Sequence, residues 1–391
     1  MKYNFDKVID RSGTSAEKVE GLKHIWGRTD LIPLWVADMD FATAPFVTDA
    51  IRKRCENEVL GYTGKPDSYY NAIINWVKQR YDLIVTKEVI NFVPGIVPGI
   101  GMAMNCFTQK GDKVMIQPPV YHPFAWVTTR NERTLVTNPL KWENGMYRMD
   151  LDTFREQIKG CKLFILCNPH NPGGVVWTEA ELRAIADICY DEKVLVFSDE
   201  IHADLTLPPH THRPFATVCE KARMNSVTFM SPSKAFNMPG LSASHALIFN
   251  EDLRKRFRIY MDAGELDMGH VFAFLSVEAA YSHGTEWLDQ CLAYIQGNID
   301  FVDEFLKKHA PKIKAIRPEA SYLVWLDCRE LELSQKDLNE FFVDKAHLAL
   351  NDGEMFGKEG IGFMRLNVAS PRCIIEKAMK QLADAYQLYI K

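Results

Sequence analysis

The feature that most constrains this chain is a series of short, almost unbroken apolar runs with helical stretches between them. Lys113–Ile116, Leu163–Cys167, Val194–Phe197, Val227–Met230 and Ala246–Phe249 are five such runs. Runs that do not alternate with polar residues suit strands buried on both faces. Between two of them, Thr178-Glu-Ala-Glu181 has the pattern of a capping box, in which each end residue satisfies the other's backbone N–H. Leu182, Ile185, Ala186 and Cys189 follow at the spacing of a helix that buries one face. Strand–helix–strand alternation over residues 51–284 therefore predicts a large α/β domain with a mostly parallel sheet. A long helical pattern runs from Glu286 to Ala310. It leads into residues 285–391, expected to form a smaller α+β domain with the N-terminal arm 1–50. Two domains also fit the length, since 391 residues exceed what one core usually serves.

Composition excludes several function classes. The 46 basic and 51 acidic side chains are dispersed, with a net charge of −5, so the basic stripe that nucleic-acid binding requires is missing. No run approaches the roughly 18 apolar residues of a membrane span. The N-terminal Met1-Lys-Tyr-Asn-Phe-Asp-Lys carries charge where a signal peptide is apolar. Nine cysteines occur singly, as reduced thiols do. The expectation is a cytoplasmic protein without nucleic-acid or membrane partners. His210-Thr-His212 lacks a third ligand at metal spacing, and no metal site is expected.

Ligand sites in open α/β sheets lie beyond the carboxyl ends of the strands. Four strands here end in chemically loaded turns. Leu163–Cys167 runs into Asn168-Pro-His-Asn171-Pro-Gly-Gly174, and Val194–Phe197 into Ser198-Asp199-Glu200-Ile201-His202. Val227–Met230 runs into Ser231-Pro-Ser233-Lys234, and Asn91–Val93 into Pro94-Gly95-Ile96-Val97, where a helix can begin. Pyridoxal phosphate needs such a set. Its aldehyde takes a lysine amine as a Schiff base, and its pyridine nitrogen takes a carboxylate. Its phosphate takes N–H groups at a helix start such as Ile96 and Val97, helped by the hydroxyls of Ser231 and Ser233. Its ring takes an aromatic, for which Tyr121 in Pro118-Pro-Val-Tyr-His-Pro123 stands ready.

The order Asn171-Pro, Asp199, Ser-x-x-Lys234 and Arg365 resembles fold-type I pyridoxal-phosphate enzymes of the class I/II aminotransferase superfamily. Leu34-Trp-Val-Ala-Asp-Met-Asp-Phe41, Gly61-Tyr-Thr-Gly64, Ser198-Asp-Glu-Ile-His202, Ser231-Pro-Ser-Lys-Ala-Phe-Asn237 and Phe363-Met-Arg-Leu-Asn367 resemble its MalY/PatB-type C-S β-lyase branch. That resemblance implies a seven-stranded, mostly parallel sheet between helices. It makes Lys234 the Schiff-base lysine, Asp199 the partner of the pyridine nitrogen, and Tyr121 the stacking ring. It gives Asn171 the ring hydroxyl and the substrate carboxylate, and Arg365 that carboxylate as a bidentate fork. His202 would line the cofactor site, and a strand edge at Val36-Ala37 would offer the substrate a backbone N–H. Tyr62 would reach the phosphate of a neighbouring subunit, which implies a homodimer with shared active sites. The implied reaction is α,β-elimination of L-cystathionine or cysteine S-conjugates.

His202 and Ser242 depart from the aminotransferase pattern, which usually has a tyrosine and a phosphate-binding arginine there. Ala235 and Pro239 are smaller deviations within the lysine motif. Blander readings stand beside these: Glu200 as a helix cap, Tyr121 as a loop anchor, His202 as a buried neutral histidine, Arg365 as the partner of a structural carboxylate. Two other functions compete with elimination. One is transamination between an L-amino acid and a 2-oxo acid. The other is cofactor binding without turnover, which the intact lysine, aspartate and arginine set disfavours.

Overall fold

The computed structural model describes residues 1–389. Seven strands form one sheet: β1 (Ile90–Val93), β2 (Lys113–Ile116), β3 (Thr134–Thr137), β4 (Cys161–Cys167), β5 (Leu195–Asp199), β6 (Ser226–Met230) and β7 (Ser244–Leu247). Their order is β1-β7-β6-β5-β4-β2-β3. Neighbours from β3 across to β6 pair in parallel. β7 runs antiparallel to both β6 and β1. The apolar runs are buried on both faces: Phe164, Leu166 and Val196 point into one core, and Leu163, Ile165 and Phe197 into another. The edge strand β3 was not foreseen, because Thr-Leu-Val-Thr has an exposed threonine at each end and no continuous apolar run.

The helices that matter for the site are α1 (Glu17–Trp26), α2 (Asp67–Tyr81), α3 (Ile96–Phe107), α4 (Glu179–Asp191), α5 (Val271–His283), α6 (Thr285–His309) and α7 (Arg372–Tyr389). α4 begins on the expected capping box. Thr178 N donates to Glu181 Oε2 at 2.8 Å, and Glu181 N donates to Thr178 Oγ1 at 3.2 Å. α3 starts directly after β1 and lies close on the sheet at Gly99. A Cβ there would stand 2.9 Å from Val93 and 3.2 Å from Phe229, so Gly99 lets the helix pack closely.

A second, antiparallel sheet contains β8 (Lys314–Ile316), β9 (Leu323–Asp327), β10 (Asn351–Asp352) and β11 (Phe363–Asn367) in the order β8-β9-β11-β10. The long helix predicted after residue 286 is α6, whose Ile295, Ile299, Val302 and Leu306 share a core with Ile375, Met379 and Leu382 of α7. The N-terminal segment joins this part through Ile32–Pro33, paired in parallel with Leu348–Ala349. Pairing ends there. The strand edge expected at Val36-Ala37 is therefore not a strand: the Asn367 amide donates to the carbonyls of Val36 (2.7 Å) and Asp38 (2.6 Å) and bends the chain inward. No helix among the described residues is long and apolar enough to cross a membrane.

Candidate active site

A cavity of about 200 Å³ opens where the carboxyl ends of β4, β5 and β6 meet the start of α3. Asp199 is the last residue of β5 and is buried, with one hydrogen bond, from Ile201 N at 3.1 Å. Burial pushes its carboxyl up to about 7, the neighbouring Glu200 charge adding to the rise and Ile201 N–H and Lys234 opposing it. Lys234, in the turn after β6, donates to the Ala37 carbonyl at 2.5 Å. Burial lowers its ammonium to about 8, with Arg365 adding to the fall and Asp38 and Asp199 opposing it. A half-buried amine with its ammonium lowered this far is suited to act as a nucleophile.

Arg365 enters from β11. Its Nη1 donates to Asn171 Oδ1 at 3.0 Å, its Nη2 to the Trp35 carbonyl at 3.1 Å and to Asn351 Oδ1, and its Nε has no partner. It makes no ion pair among the described residues, so no structural carboxylate holds it. Burial lowers it to about 10. Asn171, Tyr121, His202, Ser233, Ala37, Ile96 and Val97 all line the cavity. Ile96 and Val97 begin α3, so their N–H groups have no partner within the helix. His202 is buried with Nδ1 unpartnered, and burial, then Lys234 and Arg365, lower it to about 3, which keeps the ring neutral.

Other residues stand elsewhere. Ser231 does not line the cavity; its hydroxyl donates to Ala243 O at 2.8 Å and accepts from Ser233 N at 3.1 Å, bracing the turn from behind. Val36 likewise gives only its carbonyl, to Asn367. Tyr62 is 95% exposed on the loop before α2, outside this chain's own cavity. Glu200 does not cap the turn that follows it but meets the first N–H of the short 3-10 turn Phe215–Thr217. It is buried and accepts from Ser198 Oγ and Phe215 N, both at 2.8 Å, and pairs with His212 Nε2 at 2.8 Å. It therefore holds the turn that carries Asp199 and His202.

Sequence reasoning missed the frame around Lys234. Asn237 accepts from Met39 N and donates to the carbonyls of Met39 and Phe41, while Tyr322 OH donates to Ala37 O at 2.9 Å. Asn237 and Asn367 each close a motif quoted above, so the signal was present; the contact between the two motifs was not.

The donor set fits pyridoxal phosphate. A buried carboxyl, a half-buried amine, unpaired helix N–H groups and the orphaned His202 Nδ1 belong to residues lining one space, with the unpartnered Arg365 Nε behind Asn171, and this cofactor or an amino-acid substrate carries partners for them. Fold and site together define a pyridoxal-phosphate enzyme built on a seven-stranded α/β sheet. The chain belongs to the aminotransferase class I and II family, whose model matches residues 29–382. Within it, the chain is 38% identical to the cystathionine beta-lyase PatB of Bacillus subtilis, over 98% of this chain and 99% of that protein. Cystalysin from Treponema denticola, solved with pyridoxal 5'-phosphate, superposes with a TM-score of 0.96 at 33% identity, covering 100% of both chains. The pyridoxal-phosphate-bound C-S lyase of Staphylococcus hominis superposes with a TM-score of 0.91 at 35% identity, covering 98% of each. The cofactor and the lyase branch expected from the motifs agree with these relatives.

Proposed function

We propose that this enzyme eliminates thiols from cysteine S-conjugates, L-cystathionine among them, giving pyruvate and ammonia as the other products. The full-length likeness to PatB carries this reading. When bound, pyridoxal phosphate supplies an electron sink for negative charge at the substrate Cα. The remaining work falls to the chain. Lys234 would hold the cofactor aldehyde and, once displaced by substrate, take the Cα proton; an amine near 8 is suited to that exchange at mildly alkaline pH. Asp199 would face the pyridine nitrogen, and Tyr121 would cover the ring. Asn171 would reach the ring hydroxyl. Ile96, Val97 and Ser233 would hold the phosphate, with Ser231 fixing the turn behind them. Arg365 would bind the substrate carboxylate through its unpartnered Nε, beside the amide of Asn171, and neutral His202 would offer a hydrogen bond without adding charge.

A homodimer in the cytoplasm is part of the same proposal, with Tyr62 completing the partner's phosphate site. Val59, Leu60 and Tyr62 support it, because three large apolar side chains stand exposed on one loop. Steady-state assays on L-cystathionine, S-substituted cysteines and amino-acid/2-oxo-acid pairs test the reaction. Pyruvate and thiol release should exceed amino-group exchange by at least about tenfold, a barrier difference of about 1.4 kcal/mol. Rapid exchange with negligible pyruvate would replace elimination with transamination.

A further inference from the structure

Arg365 is held by oxygens that carry no charge. Its Nη groups reach the amides of Asn171 and Asn351 and the Trp35 carbonyl. Asn351 is its direct cross-strand partner in the β10–β11 pair, where opposed side chains lie on one face of the sheet. The Asn351 Nδ2 donates to Met355 Sδ at 3.4 Å, which leaves Oδ1 for the guanidinium. Beneath it, the Phe356 ring lies 4.8 Å from the guanidinium carbon. The nearest acid along β10 is Asp352, and alternation sends it to the opposite face. There it accepts from Gln335 and Asn339. The strand thus turns its carboxylate away from the arginine and its amide toward it.

We propose that Asn351 is a positioning residue that orients Arg365 for the substrate α-carboxylate while leaving its charge uncancelled. This rests on the proposed function, in which Arg365 takes that carboxylate. A carboxylate at position 351 would occupy the guanidinium with a charge-assisted pair and force the substrate to compete with it. An apolar residue would free the fork without cancelling it.

The test uses the holoenzyme with an S-substituted L-cysteine and the methyl ester of the same compound. Wild type should prefer the acid over the ester by at least about tenfold in kcat/KM. Absence of that preference would show that Arg365 is not the carboxylate site, which is a failure of the underlying function and not of Asn351. Given the preference, Asn351→Asp should raise KM for the acid at least about tenfold and erase the acid/ester ratio, with kcat within about threefold. Asn351→Ala should raise KM only about threefold and keep most of the ratio. Equal effects of the two variants, or an intact ratio in Asn351→Asp, would overturn the proposal. Should Asn351→Asp lose the cofactor, Asn351→Ser carries the test. An unchanged KM there overturns it, and a rise of about threefold with kcat retained supports it.

Discussion

Two clusters of charge meet at the same strip of chain, residues 36–41, and they are built on opposite rules. On its outer side, Lys18 of α1, fully buried, pairs with Asp40 at 2.8 Å and Asp38 at 3.6 Å. Arg11 joins the same two acids, and Ser370 donates to Asp40. Every charge there has a counterion. On the inner side, Lys234 and Asp199 line one cavity and Arg365 reaches its wall through Asn171; none of the three is within ion-pair distance of an opposite charge among the described residues, and burial displaces all three from their ordinary values. Paired charges hold a segment in place. Unpaired buried charges cost stability and are kept where a ligand will complete them.

The largest way to break this contrast is to remove the inner amine. Lys234→Ala should cut turnover at least about a thousandfold and abolish cofactor fixation by borohydride; a variant with the cofactor still fixed covalently would refute the lysine's role. Asp199→Asn keeps the size of the side chain but offers no charge to the pyridine nitrogen. It should cost at least about a hundredfold in kcat, with KM for the S-conjugate changed much less. On the outer side the currency is stability. Lys18→Met leaves two partly buried aspartates short of a cation and should cost about 3 kcal/mol, read as a lower denaturation midpoint. Residual activity per folded molecule should stay within about threefold of wild type, because Lys18 touches no group of the cavity.

The inner cluster was legible in the sequence and the outer one was not, for a physical reason. Asp199 ends a buried strand and Lys234 and Asn171 stand in the turns just past two others; strand ends can be read from apolar runs, so their convergence followed from the α/β layout. The helix α4 was legible for a similar reason, since capping box and apolar stripe are local patterns. Pairings such as Lys18 with Asp40, Glu200 with His212, and Asn351 with Arg365 join residues whose adjacency only the folded chain creates. Nothing local marks Glu200 as different from a helix cap. Arg365 could be placed by resemblance, but its freedom from a counterion depends on which face of β10 Asp352 takes. The strand expected at Val36-Ala37 failed for the same cause, because a distant amide, that of Asn367, decides the path there.

The smallest predicted effect is also the one that separates the two rules most directly, and it is read on the cofactor-free enzyme. Asp199 folds with its carboxyl at about 7, against an unfolded value of about 4. Between those values the folded state holds more protons than the unfolded one, so its stability falls as pH rises from about 4 to about 7 and the full penalty persists above. Lys234, lowered to about 8 from 10.5, acts in another window: its penalty is complete below about 8 and fades as pH climbs toward 10.5. Asp199→Asn removes the first penalty only. The cofactor-free variant should therefore be more stable than wild type at pH 7.5 by about 1 kcal/mol or more, with the gain vanishing near pH 4. Asp40→Asn, on the outer side, should lower stability at pH 7.5, because it removes a partner of Lys18 and Arg11. Denaturant titrations of the two variants at pH 4.5 and 7.5 give the comparison. If Asp199→Asn is no more stable than wild type at pH 7.5, the aspartate has a partner in the cofactor-free enzyme, and the difference between the two clusters disappears.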